Sequence, residues 1–275
     1  MKNHKDIFDD FTEVTERGKR SKNPFIRSGN AKMQLKQYEE AIEDYSSAIE
    51  IDPNNAGYYC IRGVAKIYKD NILRRFAYIF TSETDSNMKK ALEKYINLGD
   101  YQNAESFWIH GLEQYPEMEQ IYEGNIPRPL ISIFNTESYW QKALGKYKNS
   151  TGYQDALKDF AKAIELDPHN PKFYFCRGSI RGDLSDCKEA IDDFSKAIEI
   201  DPNNADFYQR RGWSKTDLGD YQGVIEDFTR AIKLDPYNDD FYSYRASAKR
   251  ILGDTKGADK DDKKAKKLKK YGEKV

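Results

Sequence analysis

Aromatic and small residues return at fixed places along this sequence, and the pattern predicts pairs of helices. The segment that starts at Ala41 and ends in Asp52-Pro53-Asn54-Asn55 has near copies that begin at Ala156, Ala190 and Val224. The last three copies are spaced by 34 residues, and the prolines that end them keep the same spacing. Each copy predicts a helix that stops at its proline, because proline disfavours helical backbone at the residue before it.

A first helix precedes each of these segments. The two helices are separated by a break such as Leu98-Gly99-Asp100-Tyr101 or Leu218-Gly219-Asp220-Tyr221, in which glycine suits the left-handed end of a helix. Each unit therefore contains two helices and a proline stop. Frames of 34 residues place the units at Lys22–Asn55, Asp85–Met118, Glu137–Asn170, Pro171–Asn204, Ala205–Asn238 and Asp239–Gly272.

Small residues in the frame lie opposite large ones. The eighth place carries a small residue and the twenty-fourth an aromatic one, and small side chains let two helices approach closely. The small residues are Gly29, Gly178, Gly212 and Ala246, and the aromatic ones are Tyr45, Trp108, Phe160, Phe194 and Phe228. A further aromatic residue fills the fourth place as Phe25, Trp140, Tyr174, Tyr208 and Tyr242. The final frame has Asp262 in its twenty-fourth place.

These aromatic, small and proline positions resemble the tetratricopeptide repeat family over roughly four-fifths of the chain. The resemblance implies an all-α fold, a right-handed superhelical solenoid of antiparallel helix pairs. It also implies that the first helix of each pair lines a concave groove.

The repeat pattern is interrupted twice. Residues 56–84 start like a unit but lose the break and the closing proline, so we interpret them as a degenerate unit within an N-terminal array of 22–118. Residues 119–136 contain Gly124, Pro127 and Pro129 and are either a hinge or a kink in a continuous solenoid. Residues 1–21 are expected to form a capping helix. Residues 137–272 form the regular C-terminal units and end in a basic capping helix.

Charge and composition restrict the class of partner. The chain has 45 basic and 46 acidic residues, and this balance argues against a dedicated nucleic-acid binder. Its longest apolar cluster, Phe76-Ala77-Tyr78-Ile79-Phe80, is far shorter than the roughly 20 residues of a membrane span. Three cysteines without metal or CxxC spacing are expected to be reduced thiols, which favours the cytoplasm.

No enzyme constellation is apparent, and we expect neither catalysis nor a cofactor. The glycines stand singly, so no phosphate loop is formed. His4, His110 and His169 are scattered, without the neighbours that a metal site needs. The arginine that precedes the small residue of the eighth place, as in Arg211-Gly212, recurs from unit to unit and is interpreted as structural.

The resemblance assigns the groove to the second, fifth, ninth, twelfth and thirteenth places of each frame. Trp213 is the most informative of these residues, because Ser179 and Ser247 occupy its place in the neighbouring units. It is either a binding hot spot or a cover for an adjacent helix. The predicted groove residues are Lys172, Phe175, Ser179, Asp206, Gln209, Arg210, Trp213, Asp217, Asp240, Ser243 and Arg250, with Asn30 in the first unit.

The sequence therefore predicts a scaffold that binds another protein or a peptide in this groove. One subgroup of the family clamps the C-terminal carboxylate of heat-shock chaperones, but Ile26 and Ile61 stand where a base and an Asn are expected. The alternative function is binding of nucleic acid or another anionic surface through the lysines of Lys256–Lys274, which would otherwise form a solubilising cap.

Overall fold

A computed structural model describes residues 22–81 and 151–272. By its contacts the chain divides into two compact units, residues 1–166 and residues 167–275, and each is described by itself. The predicted capping helix of 1–21, the frame Asp85–Met118 and the candidate hinge of 119–136 lie outside the described residues.

The described residues form ten α-helices and contain no strand, which confirms the all-α prediction. In the first unit these are α1 (Pro24–Gln34), α2 (Tyr38–Ile51), α3 (Ala56–Thr81) and α4 (Thr151–Leu166). In the second unit they are α5 (Pro171–Asp183), α6 (Cys187–Ile200), α7 (Ala205–Asp217), α8 (Tyr221–Leu234), α9 (Asp239–Ile251) and α10 (Thr255–Gly272). Neighbouring helices of the second unit pack against one another in chain order.

The linkers Asp-Pro-Asn-Asn at residues 201–204 and Asp-Pro-Tyr-Asn at residues 235–238 begin the next helix as well as ending the previous one. The last asparagine of the linker is the N-cap: Asn204 accepts a hydrogen bond from the backbone N–H of Asp206 at 3.0 Å, and Asn238 accepts one from Asp240 at 3.1 Å. Such a cap satisfies one of the N–H groups that the first turn of a helix leaves unpaired. The same four residues therefore fix both helix boundaries.

The break between paired helices requires a left-handed backbone. Gly219 and Gly253 adopt φ values of +76° and +86°, which glycine tolerates without steric cost. Lys36 and Ser185 hold the same place in their units at φ values of 58° and 64°, where a side chain is strained. Two of the breaks therefore form without the glycine that marks them in the sequence.

The predicted contact between small and aromatic residues is present wherever a described helix pair carries both residues. An added Cβ on Gly178 would lie 3.0 Å from Phe194, and one on Gly212 would lie 2.9 Å from Phe228. Both phenylalanines are buried. The missing side chain is what allows the two helices of a pair to approach this closely.

The structure pairs two segments that the sequence analysis places in different units. Helix α3 runs without a break through residues 56–81 and packs against α4, instead of forming a degenerate unit of its own. Gly63 of α3 lies against Phe160 of α4, a contact that regular units make between residues only 16 apart. The two helices are thus the first and second halves of one repeat, separated in sequence by residues 82–150.

Candidate functional site

A repeated ion-pair network separates the structural polar residues from those available for binding. Arg211 donates three hydrogen bonds to the buried carboxylate of Asp227, at 2.6, 3.0 and 3.2 Å, and a fourth to Ser195 of the preceding second helix at 3.0 Å. Lys215 adds a bond of 2.9 Å to the same carboxylate. A buried carboxylate needs this much compensation.

The same network recurs in three other helix pairs. Equivalent pairs are Arg62–Asp159 with Lys66, Arg177–Asp193 with Arg181, and Arg245–Asp261 with Lys249. Each of these arginines also lies over the tyrosine of the fourth place, 5.6–5.9 Å from its ring centre. The recurring Arg-Gly arginine is therefore structural, as predicted.

Some of the predicted groove residues lie in the core. Phe175 is 3% exposed, and its ring packs against Phe194 and Phe207 at centroid distances of 5.9 and 5.1 Å. Ser179 is buried and donates to the carbonyl of Phe175, and Gln209 is buried as well. Phe207 of the next first helix, α7, covers Phe175, and all three side chains are too buried to contact a partner.

Asn30, the groove residue of the first unit, is also buried. Its side-chain carbonyl accepts a hydrogen bond of 2.8 Å from the Tyr45 hydroxyl. Burial, followed by the charge of Asp44, raises the pKa of the Tyr45 phenol well above its ordinary value, so this donor stays protonated. Asn30 therefore supports the core and is not placed to clamp a carboxylate.

Trp213 is partly buried and, like Tyr244, packs against the core cluster that contains Phe228. Its ring meets Tyr244 of α9 edge-on at a centroid distance of 5.6 Å, and the guanidinium of Arg210 lies 5.0 Å from its ring centre. Tyr244 in turn stacks on the buried ring of Phe228 at 5.2 Å. The indole is thus held in place on two sides, in the arrangement of a pre-organised aromatic anchor.

The indole nitrogen of Trp213 has an unusual environment. Its N–H is buried and has no acceptor among the described residues. A buried donor without an acceptor costs about 1–3 kcal/mol. The indole is therefore held by its ring contacts and gains nothing from its polar atom.

The other predicted groove residues are partly buried or exposed. Lys172, Asp206 and Asp240 are partly buried at the start of α5, α7 and α9. Asp217 and Ser243 are exposed, and so is Arg250, which pairs with Asp262 at 2.7 Å and Asp259 at 3.4 Å. We use the term first-helix face for the accessible residues Lys172, Asp206, Arg210, Trp213, Asp217, Asp240, Ser243, Tyr244 and Arg250.

Tyr244 belongs to this face but was missed by sequence reasoning. It holds the sixth place of its frame, one residue beyond the place that the resemblance assigns to the groove. The sequence did contain a signal for this residue. Tyr244 lies four residues after Asp240, one turn along the same helix, and residues with this spacing share a face.

Cys60, Cys176 and Cys187 are buried free thiols. No group of three or more His, Cys, Asp or Glu side chains within 22–81 and 151–272 is arranged to hold a metal ion. None of the helices described is both long enough and apolar enough to cross a membrane.

Helix pairs with repeated capping, small-aromatic packing and ion pairs define a helical repeat protein. Family models described as TPR repeat and tetratricopeptide repeat match residues 29–66, 146–205 and 194–226. The chain therefore contains tetratricopeptide repeats.

Curated relatives match parts of the chain. The chain is 23% identical over 185 residues to Hsp70-Hsp90 organizing protein 2 of Arabidopsis thaliana, a match that covers 58% of this chain and 32% of that protein. It is 50% identical over 38 residues to the human small glutamine-rich tetratricopeptide repeat-containing protein beta, covering 14% of this chain and 12% of that protein. The matches thus span a third or less of these relatives.

Solved structures share the fold. A crystal structure of MamA aligns with a TM-score of 0.56 at 17% identity and covers 90% of this chain and 97% of MamA. The crystal structure of YrrB, described as a TPR protein with an unusual peptide-binding site, aligns with a TM-score of 0.52 at 15% identity over 96% of this chain and 98% of YrrB. At these identities the likeness concerns the fold alone.

Proposed function

We propose that this protein is a non-enzymatic scaffold whose first-helix face binds an extended or helical segment of another protein. The observation that carries the proposal is that Trp213 of α7 is only partly buried and is fixed by contacts with Arg210 of α7 and Tyr244 of α9. Tryptophan, tyrosine and arginine are the residue types that dominate binding energy at protein interfaces. A face that is ordered before binding also loses little conformational entropy on docking.

The contacts around the indole suggest how a segment would be held. An apolar side chain of the partner packs beside Trp213 and Tyr244, while Asp206, Asp217 and Asp240 contact its polar groups and fix its register. YrrB, which has the same fold, is described as having a peptide-binding site, and this supports the proposed mode. We further propose a cytoplasmic location, which the three free thiols support.

The test uses a displayed peptide library selected on the wild-type chain, followed by affinity measurements with three variants. Trp213→Ala removes the anchor and should weaken the selected peptides by about 30-fold, the equivalent of a 2 kcal/mol hot spot. Trp213→Phe keeps a ring against Tyr244 and should retain most of the affinity. Tyr237→Ala removes an aromatic side chain that is 78% exposed in the linker before α9, outside the first-helix face, and should have no effect.

Circular dichroism separates loss of binding from loss of fold. The proposal expects each variant to keep the helicity of the wild type. Equal binding by Trp213→Ala and the wild type would contradict the proposal. Unfolding of Trp213→Ala would show that the indole is part of the core and carries no site.

A further inference from the structure

Helix α10 carries an ordered row of lysines on its exposed side. Lys256, Lys260, Lys263, Lys267 and Lys270 follow one another at intervals of three or four residues, which places them on one face of the helix. All five are exposed. At a rise of about 1.5 Å per residue the row is about 21 Å long. We refer to these five residues as the lysine stripe.

The acidic residues of α10 do not neutralise the stripe, because α9 already engages them. The carboxylate of Asp261 accepts hydrogen bonds from Arg245 at 2.7 and 2.8 Å and from Lys249 at 2.8 Å. Asp259 and Asp262 both pair with Arg250. Within the part of the chain that the structure describes, the lysines of the stripe have no acidic partner. Their charge therefore faces solvent uncompensated.

The repeat fold does not require lysine at these places. The first four places of the stripe are occupied in α8 by Gln222, Glu226, Thr229 and Lys233, a set without net charge. In α6 they are occupied by Lys188, Asp192, Ser195 and Glu199, a set with a net charge of −1. These helices share the packing of α10 but not its charge, so the stripe is a separate feature of this surface.

We propose that the lysine stripe is a second binding surface, which takes a short acidic segment of a partner protein. Lysine is a flexible point charge, so it suits a row of carboxylates that need no planar two-point recognition. The stripe contains no aromatic residue on which the bases of a single strand could stack. The small side chains Ala258 and Ala265 are buried beneath α10, so the helix has no free apolar face to insert into a bilayer.

The distribution of charge favours a short ligand over a long polyanion. Helix α10 contains eight lysines and three aspartates, whereas the whole chain has a net charge of −1, so the remaining residues carry −6. A nucleic acid that extends beyond the stripe is repelled by this remainder. An extended peptide of about six or seven residues matches the length of the stripe.

The experiment measures fluorescence anisotropy of a labelled oligo-glutamate peptide of about seven residues, the length of the stripe. The full chain is titrated at low and at physiological salt. Lys260→Gln/Lys263→Gln/Lys267→Gln should bind about tenfold more weakly, because it removes three of the five stripe charges and exposed charge pairs are individually weak. The matched control, Lys158→Gln/Lys188→Gln/Lys233→Gln, removes the same charge from exposed lysines of other second helices. It should bind like the wild type.

Each outcome decides the proposal. Weaker binding by the stripe variant alone, together with a loss of affinity on adding salt, supports it. Equal loss in both variants would show that net charge and not the stripe attracts the peptide. If a DNA duplex binds more tightly than the peptide and loses affinity in the same variant, the ligand of the stripe is nucleic acid and not an acidic segment. Absence of binding at low salt would end the proposal.

Discussion

A single pair of places decides how closely the two helices of a unit approach. Gly212 in α7 faces Phe228 in α8, and the ring fills the space where a Cβ would stand. The final unit departs from this rule at both places together. Ala246 is fully buried there, and the residue sixteen positions later is Asp262, which has no ring. The glycine is thus required by the aromatic residue and not by the helix itself.

We expect Gly212→Ala to destabilise the protein, although alanine is the better helix former. The added Cβ would lie 2.9 Å from Cε2 of Phe228, so the fully buried ring must shift. Overpacking of this kind costs about 1–3 kcal/mol, which exceeds the gain of about 1 kcal/mol in helix propensity. Urea unfolding monitored by circular dichroism measures the difference.

A second substitution tests the cause. Phe228→Leu removes the ring and creates space, so adding Gly212→Ala to that variant should cost less than it does in the wild type. The two effects are coupled because the two side chains compete for one volume. Additive effects would show that the ring does not set the requirement for glycine.

The ion-pair network acts at the level of whole helices. Arg245 connects α9 to Asp261 of α10 and also donates to Thr229 of α8 at 3.0 Å. Arg62 and Arg211 make the same three-way connection through Ser46 and Ser195. Each of these arginines therefore joins a helix to its own partner and to the second helix of the preceding unit.

The attachment of α10 should depend on pH through Asp261. Burial raises the pKa of this carboxyl, but the hydrogen bonds and charges of Arg245 and Lys249 outweigh burial and leave the pKa below its ordinary value of 3.8. A lowered pKa in the folded state stabilises the fold above that value. The stabilisation is lost as the pH falls through the folded pKa.

Asp261→Asn should therefore destabilise the protein at neutral pH by about 2 kcal/mol, the scale of hydrogen bonds to a charged group. The difference in the free energy of unfolding between variant and wild type should disappear as the pH falls below 3.8. Asp262→Asn is the matched control, because its partner Arg250 is 47% exposed and such pairs contribute about 0–1 kcal/mol. Urea unfolding across pH measures both, and a gap that persists in acid would rule out the linkage.

Much of the fold follows from local spacing, and the candidate site follows less well. The fourth, eighth and twenty-fourth places identify the helix pairs because their contacts lie within one frame. Burial of Phe175 and Gln209 depends instead on neighbouring helices, as the contact of Phe175 with Phe207 shows. A place in a frame fixes the direction of a side chain along its helix. It does not reveal which neighbour covers that side chain.

At the level of the whole molecule, the frame cannot identify partners that are distant in sequence. The sequence pattern predicts a first helix at Tyr59, Arg62 and Gly63. The matching places of a second helix are held by Asp159 and Phe160. Residues 82–150 separate the two segments. Trp140 holds the fourth place of the frame Glu137–Asn170, so the sequence pattern assigns the first helix to residues nearer to Phe160. The structure joins the distant pair, with Arg62 bound to Asp159 at 2.6 and 3.1 Å.

This pairing predicts an energetic coupling across 97 residues of sequence. In a double-mutant cycle on the full chain, Arg62→Ala and Asp159→Ala should be non-additive by about 2 kcal/mol, because each removes the same ion pair. The cycle of Arg211 and Asp227, which are 16 residues apart, should give a similar value. As a control, Arg62→Ala and Asp227→Ala should have additive effects when they are combined in one variant.

A shortened chain supplies the reference for that measurement. Replacing residues 69–152 with Leu-Gly-Asp, the sequence of the break between α7 and α8, leaves Tyr68 and Tyr153 on either side of an ordinary turn. Arg62 and Asp159 are then 16 residues apart, as in the regular units. The shortened chain should unfold cooperatively and show the same coupling as the full chain. Coupling in the shortened chain but not in the full chain would mean that α4 has a different partner in the intact protein.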